Sequence, residues 1–225
     1  MKNVGKVYDS GIVALRDINV DIEKGEFVFV VGPSGAGKTT FTKMIFREEL
    51  PTQGQLVVNG RNVTALKSSE VPYFRRSLGI IFQDYRLLPN RTVYENVAFA
   101  MQVIEAPRRE IQKRVNHVLE LVGLRYRARN FPTELSGGEQ QRVAIARAIV
   151  NNPVVVIADE PTGNLDPETS WEIMKIFERI NKNGTTIVMA THDKTVVDTM
   201  RKRVIAIERS SIVRDEAKGV YGYED

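Results

Sequence analysis

Gly32 to Thr39 read "GPSGAGKT": three glycines, a lysine and a hydroxyl at fixed spacing. A loop of this kind wraps backbone amides around a phosphate tail, sends the Lys38 ammonium to its terminal groups and offers the Thr39 hydroxyl to magnesium. At ordinary residue frequencies chance supplies the pattern in about one percent of chains this long, so a plain glycine linker accounts for it poorly. Further along, "PVVVIADE" sets two carboxylates side by side. Asp159 closes the apolar run and fits the group that holds magnesium. Glu160 is then free to orient and deprotonate a water for attack on the terminal phosphate. Alone, an Asp-Glu pair is ordinarily a solvated turn; the glycine loop ahead of it reverses that reading. His192, after "GTTIVMAT", adds a donor, whereas His117 lies in a helical stretch and reads as a satisfied structural residue. Phosphoryl transfer needs positioned charge more than a covalent nucleophile, and this set supplies it.

A second glycine-opened stretch, "LSGGEQQRVAIARAIV", runs from Leu135 to Val150. Ser136 as N-cap and Glu139 three residues on form a capping box that satisfies two orphan amides of a helix start. That leaves Gly137 and Gly138 unexplained, since glycine costs about 1 kcal/mol relative to alanine inside a helix. Something has to come close to that backbone.

These groups need a scaffold. "EFVFVVGPSGAGKTTFTKMIF" runs from an apolar strand through a glycine turn into a helix, and "PVVVIADE" and "GTTIVMATH" repeat the buried-strand pattern. Strands buried on both faces belong to a mostly parallel sheet covered by helices, with ligands at the strands' carboxyl ends. The expected fold class is therefore α/β, of the phosphate-loop NTPase kind, with one crevice where three segments converge. Residues 2–30 and 54–64 carry shorter alternating stretches with turn signals, an antiparallel portion. From Gln83 to about Glu134 the pattern is helical: Thr92 and Glu95 make another capping box, Pro107 precedes "RREIQKRVNHVLELV", and Gly123 is a stop.

Composition narrows the partners. The 225 residues are 42% hydrophobic, enough for a proper core, and 32 basic against 28 acidic residues leave a net charge of +4, too balanced to make nucleic acid a main partner. The clusters "RYRAR" (125–129) and "RKR" (201–203) read as solvated faces. No apolar run approaches the roughly 18–20 residues of a membrane span, and cysteine is absent, so a soluble chain in the reducing cytoplasm is expected. The final "KGVYGYED" reads as a tail of uncertain order.

Taken in order, the motifs resemble those of the ATP-binding cassette ATPases across nearly the whole chain. "GPSGAGKT" looks like Walker A, "IIFQD" supplies the Q-loop glutamine as Gln83, "LSGGEQQ" resembles the signature, "VVVIADE" Walker B, "GNLD" the D-loop and "ATHD" the H-loop. The resemblance implies Glu160, His192, Gln83 and Lys38 as catalytic residues, and Thr39, Gln83 and Asp159 around Mg2+. It implies ATP contacts from Gly32, Pro33, Ser34, Gly35, Ala36, Gly37, Lys38, Thr39 and Thr40, with Tyr8 where the family stacks an aromatic on adenine. It also implies a homodimer formed around ATP, with Ser136, Gly137, Gly138 and Glu139 of one copy meeting the γ-phosphate held by the other, and Asp166 and Asn164 tying the halves together. In these terms residues 1–82 are the nucleotide-binding core with its antiparallel part, 83–134 the Q-loop and helical subdomain, and 135–225 the rest of the core with the remaining motifs.

"DEPTGNLD", "VPYFRRSLGIIFQDYRLLPNRTVYENVAFAM" and "NFPTELSGGEQQRVAIARAIVNNP" are most similar to a cell-division branch of the family, in its Gram-positive form. That branch implies an integral membrane partner resembling FtsX, other division proteins, a place on the cytoplasmic face of the membrane, and control of peptidoglycan hydrolysis rather than transport. A lipoprotein-releasing or macrolide-type exporter motor and a nucleotide-regulated scaffold stand as alternatives. Tyr85, Leu87, Leu88 and Pro89 would suit an apolar patch for a partner's helix, and core packing explains them equally well. Thr39 replaces the branch's frequent serine and keeps the hydroxyl. The start seven residues before Tyr8 suggests a short first strand, and serines in "ERSSIV" leave the last hairpin's geometry open.

Overall fold

The structure, a computed structural model, describes residues 1–222. In chain order it forms β1 (Lys2–Val7), β2 (Val13–Ile18), β3 (Phe27–Val31), α1 (Lys38–Ile45), β4 (Gln53–Gln55), β5 (Val57–Val58) and β6 (Arg61–Asn62). Next come α2 (Val71–Arg75), β7 (Leu78–Ile81), α3 (Val93–Gln102), α4 (Arg108–Leu121), α5 (Gly137–Ile149) and β8 (Val155–Asp159). The chain closes with α6 (Pro167–Lys182), β9 (Thr186–Ala190), α7 (Lys194–Met200), β10 (Arg203–Glu208) and β11 (Ser211–Glu216).

The central sheet runs β11-β10-β3-β9-β8-β7. Its inner pairs are parallel and only β11 is antiparallel to its neighbour, so the mostly parallel α/β core read from the sequence is present. All five residues of β3 and of β9 are buried, because side chains alternate between two covered faces. Phe27, Phe29 and Val31 point into a core with α3, α4, α5 and α6. Val28 and Val30 point into a second core with α1, β1 and β2. Full burial of such side chains stabilises the fold by about 1.5–3 kcal/mol each, and Phe29→Ala would cost about 3–5 kcal/mol. The antiparallel portion is the three-stranded sheet β2-β1-β4 with the small pair β5-β6.

Several expectations need correcting. β1 is not short: it spans six residues and pairs with β2 on one side and β4 on the other. β7 is a strand that the sequence reading missed. The "ERSSIV" hairpin forms without glycine, with Arg209 at φ 47 and Ser210 at φ 70. A two-residue hairpin loop of this sort needs left-handed backbone at both positions. Here it is held by the Ser210 hydroxyl donating to Val13 O at 2.8 Å and by Arg16 N donating to Ser210 O at 2.6 Å. Arg203 is not on a solvated face. Its side chain is 17% exposed, bonds bidentately to Asp215 at 2.8 Å, and reaches Glu26 and the Asp21 carbonyl. The Asp215 carboxylate raises its already high pKa further. His117 is exposed on α4 rather than satisfied inside. Of the expected loose tail, Lys218–Gly222 are placed and Val220 is buried, while Tyr223–Asp225 lie outside the described residues. Among the described residues no helix is long and apolar enough to cross a membrane.

Candidate functional site

The glycine loop leaves β3 at Val31 and enters α1 at Lys38. Gly32 (φ 143) and Gly37 (φ 110) lie in backbone territory that L side chains rarely adopt. A methyl group on Gly32 would collide with Ile207 O, and one on Gly37 with Ala14 O. α1 begins without a side-chain cap and without an acidic residue in its first turn, so its amides and positive dipole end are free for an anion. Lys38 is folded onto its own loop, its ammonium donating to Gly32 O at 2.8 Å and Pro33 O at 3.1 Å. Pro33, Ser34 and Gly35 are exposed, whereas Ala36 and Thr40 are buried. Tyr8 is tied to α1 through its hydroxyl, 3.1 Å from Thr40 Oγ1, and Lys6 lies over its ring at 4.9 Å.

Carboxylates form the facing wall. Asp159 ends β8, and its Oδ1 is buried with no hydrogen-bond partner. Burial pushes its carboxyl above the ordinary range; the Thr39 hydrogen bond opposes this, Glu160 adds to it, and Lys38 and Lys43 oppose it. A buried oxygen without a partner beside a hydroxyl is a fitting seat for a hard cation. Magnesium takes few protein oxygens and keeps water and phosphate as its other ligands. No group of three or more His, Cys, Asp or Glu that would cage a metal occurs among the described residues.

Glu160 follows directly. Its amide donates to Ala190 O at 2.9 Å, locking the end of β8 to the end of β9, and its φ is 49. Its Oε2 lies 2.8 Å from His192 Nδ1 and accepts from the His192 amide at 3.2 Å. The Glu160 side chain is 15% exposed and that of His192 63%, so the histidine stands on the solvent side of the carboxylate. Gln83 joins Thr39, Asp159 and Asn164 in lining a cleft of about 390 Å³. The fold thus gathers Lys38, Thr39, Gln83, Asp159, Glu160 and His192 at the carboxyl end of the sheet.

None of Ser136 to Glu139, the signature turn, lines that cleft, and neither do Lys38, Glu160 and His192. The turn's capping box is present: the Ser136 hydroxyl accepts from Glu139 N and the Glu139 carboxylate from Ser136 N. Glu139 is buried, and its other oxygen accepts from Arg127 Nε at 3.1 Å and Tyr126 Oη at 3.3 Å. The Ser136 amide bond lowers the Glu139 carboxyl most, and Arg127 helps. With both carboxylate oxygens engaged inside the chain and Gly138 buried, the turn presents exposed Ser136 and half-buried Gly137 outward. The glycines also have neighbours within the chain. A methyl group on Gly138 would collide with Thr169 Cγ2, and one on Gly137 would sit 3.2 Å from Tyr85 Oη. Asp166 caps α6 by accepting from Thr169 N at 2.9 Å, and both it and Asn164 are exposed.

Arg147 escaped the sequence reading. From α5 its guanidinium donates to Tyr85 O at 2.8 Å and Arg86 O at 2.6 Å, and burial pushes its pKa down. Tyr85 (φ 58) and Arg86 (φ 46) are both left-handed, so this clasp holds a strained turn just after Gln83. The one hint was a guanidinium inside the apolar run "AIARAIV". Leu87 packs against the larger core, and the backbone of Leu88 is bound by buried Asn96 at 2.8 and 3.1 Å. Packing therefore accounts for part of that stretch and leaves Pro89 exposed.

Comparison with known proteins adds a consistent set of likenesses. A family model described as ABC transporter matches residues 15–163. The cell division ATP-binding protein FtsE of Bacillus subtilis (strain 168) is 62% identical over 225 residues, covering 100% of this chain and 99% of that protein. FtsE of Streptococcus pneumoniae serotype 2 (strain D39 / NCTC 7466) is 60% identical over 225 residues, covering 100% and 98%. A solved dimeric, post-hydrolysis state of an ATP-binding cassette bound to ADP and Pi matches with a TM-score of 0.87 at 36% identity, over 99% of this chain and 98% of that one.

Proposed function

This chain belongs to the ABC transporter family, and on that premise we propose that it is the ATP-hydrolysing subunit of a cell-division complex that drives an FtsX-type membrane partner. It binds ATP and converts ATP and water to ADP and phosphate, as its family and full-length relatives imply. In the proposed arrangement, Gly32 to Thr40 cradle the phosphates and Lys38 leaves the Gly32 and Pro33 carbonyls to reach them. Tyr8 meets adenine. Thr39, Asp159 and Gln83 would hold Mg2+, which would neutralise charge on the phosphates. Glu160 accepts a proton from the attacking water, and His192, hydrogen-bonded to it, orients that carboxylate and faces the γ-phosphate.

One observation carries the two-copy reading: the molecule has two helix starts suited to phosphate, and they do not share a cleft. α1 lines the cleft through Thr39, opposite Asp159, while the start of α5 lies outside it with Ser136 exposed. Two copies facing each other would complete two sites, with Ser136, Gly137 and Gly138 of one meeting the ATP of the other and Asp166 near the seam. Glu139 serves that contact by holding the turn's shape. Nucleotide favours the closed pair only as far as it binds that state better.

Residues 83–134, the Q-loop and helical subdomain, are the part proposed to receive the cytoplasmic side of the membrane partner, which would hold this chain at the inner face of the membrane. Opening and closing would pass through that partner to peptidoglycan hydrolases outside. The test is Glu160→Gln co-expressed with the FtsX-type protein. Hydrolysis should fall at least ~100-fold, a barrier increase of about 2.7 kcal/mol, while ATP binding persists and more of the partner is recovered from membranes with ATP than without. Full activity in the variant would remove Glu160 as the base. Recovery of a substrate-binding exporter in place of the FtsX-type protein would sink the division reading.

A further inference from the structure

The last described residues return to the glycine loop, and four contacts hold them there. Gly219 N donates to Lys202 O at 3.1 Å, Arg214 Nη2 donates to the carbonyls of Val220 (2.7 Å) and Tyr221 (2.9 Å), and Tyr221 N donates to Asp198 Oδ1 at 2.7 Å. Val220 is buried, and Lys194 Nζ lies 5.5 Å from the centre of the Tyr221 ring. So anchored, the Tyr221 hydroxyl donates to Gly32 O at 3.4 Å. That carbonyl belongs to a buried residue and already accepts the Lys38 ammonium at 2.8 Å. A long second bond is what a shared acceptor gives while the first donor holds the better position. Burial, and secondarily the charge of Glu160, raise the Tyr221 pKa, so the hydroxyl keeps its proton and remains a donor at neutral pH.

We propose that Tyr221 is a positioning residue for nucleotide binding: its hydroxyl keeps the Gly32 carbonyl satisfied when the Lys38 ammonium leaves it for the phosphates of ATP. The inference rests on the reading that Lys38's loop is the nucleotide seat. A lysine that swings from a carbonyl to a ligand abandons an acceptor, and a buried acceptor without a partner weakens the state that contains it. With Tyr221 in place the loop loses one of two donors. Without that hydroxyl the Gly32 carbonyl keeps no donor once Lys38 leaves, and it competes with ATP for Lys38.

The experiment is a titration of the full chain with mant-ATP, in wild type and Tyr221→Phe, alongside Tm and steady-state kinetics. The phenylalanine keeps the ring's packing, so Tm should move by no more than about 1 °C. The mant-ATP Kd should rise about fivefold, KM should rise with it, and kcat should stay within about twofold. A folded Tyr221→Phe with unchanged Kd overturns the proposal, and so does a fall in kcat at constant KM. Should Tyr221→Phe prove unstable, Asp198→Ala, which frees the Tyr221 amide and leaves the ring intact, must raise the Kd in the same direction; unchanged affinity in that folded variant also overturns it. Failure of wild type to bind mant-ATP would defeat the proposed function itself, whereas wild-type binding with insensitive variants defeats only the role of Tyr221.

Discussion

At Glu160 a non-glycine residue holds φ 49, a conformation that costs about 1–3 kcal/mol and persists here because its amide is fixed to Ala190 O and its carboxylate to His192. The turn directs the Glu160 carboxylate to His192 while the Asp159 Oδ1 beside it stays buried without a partner. Asp159 shows the cost of that division of labour, since its Oδ1 is buried without a donor and its folded pKa is raised. A raised carboxyl contributes stability that is fully present below its unfolded value, near 3.8, and lost as pH rises through the folded value. At neutral pH the nucleotide-free chain therefore carries a strained charge. Asp159→Asn should raise its Tm at about pH 7.5 by roughly 1–3 °C, small because solvent reaches part of the group, and weaken magnesium-dependent ATP binding. The Tm gain should shrink toward about pH 4.5. Other carboxylates of opposite sign, such as Glu139 and Asp166, are common to both proteins and drop out of the difference. A gain that is flat with pH would show that the ionised carboxylate is not the source.

At the scale of elements, the pairing of α5 with α6 decides what Gly138 is for. A methyl group there meets Thr169 Cγ2 of the same molecule, so Gly138→Ala should destabilise the nucleotide-free monomer by about 1–3 kcal/mol. Thr169→Ser, which removes the offending methyl, should restore most of that in the double variant. Thermal unfolding of the four proteins without nucleotide reads this directly; additive losses would return Gly138 to a role in ligand access alone. What the sequence could tell follows the same line. Both capping boxes were legible because Thr92 with Glu95, and Ser136 with Glu139, obey a rule three residues wide. Thr169 was invisible as the neighbour of Gly138 because it sits on another helix. β7 was missed because four residues ending directly before Phe82 give too little alternation to read. Arg203 reads as a surface charge within "RKR" since Glu26 and Asp215, which draw it inward, are remote in sequence.

For the whole molecule, the crevice was legible because parallel strands end together: once β3, β8 and β9 are recognised, Lys38, Asp159 and His192 must share one edge. The proposed pairing of two such molecules rests first on the family resemblance; within one chain its sign is a second helix start, at Ser136, that lines no part of the cleft between Thr39 and Asp159. It has a direct consequence for mixtures. Lys38→Ala and Ser136→Glu should each be nearly inactive, yet combined in equal amounts they should recover roughly a quarter of wild-type ATPase activity, because half the pairs are mixed and one of two sites in each is whole. No recovery in verified mixed pairs would mean that both sites must be intact or that each site is built within one chain. In the proposed pair α5 would link the seam to the rest of the molecule. From Gly137 to Arg147 it runs about 15 Å, with Ser136 at one end and the clasp on the carbonyls of Tyr85 and Arg86 toward the other. A helix barely stretches along its axis, so a tug of an ångström at the serine arrives nearly undiminished at residue 85. In the proposed pair α5 would act as a push-rod, its stroke set by how far the two copies travel toward each other.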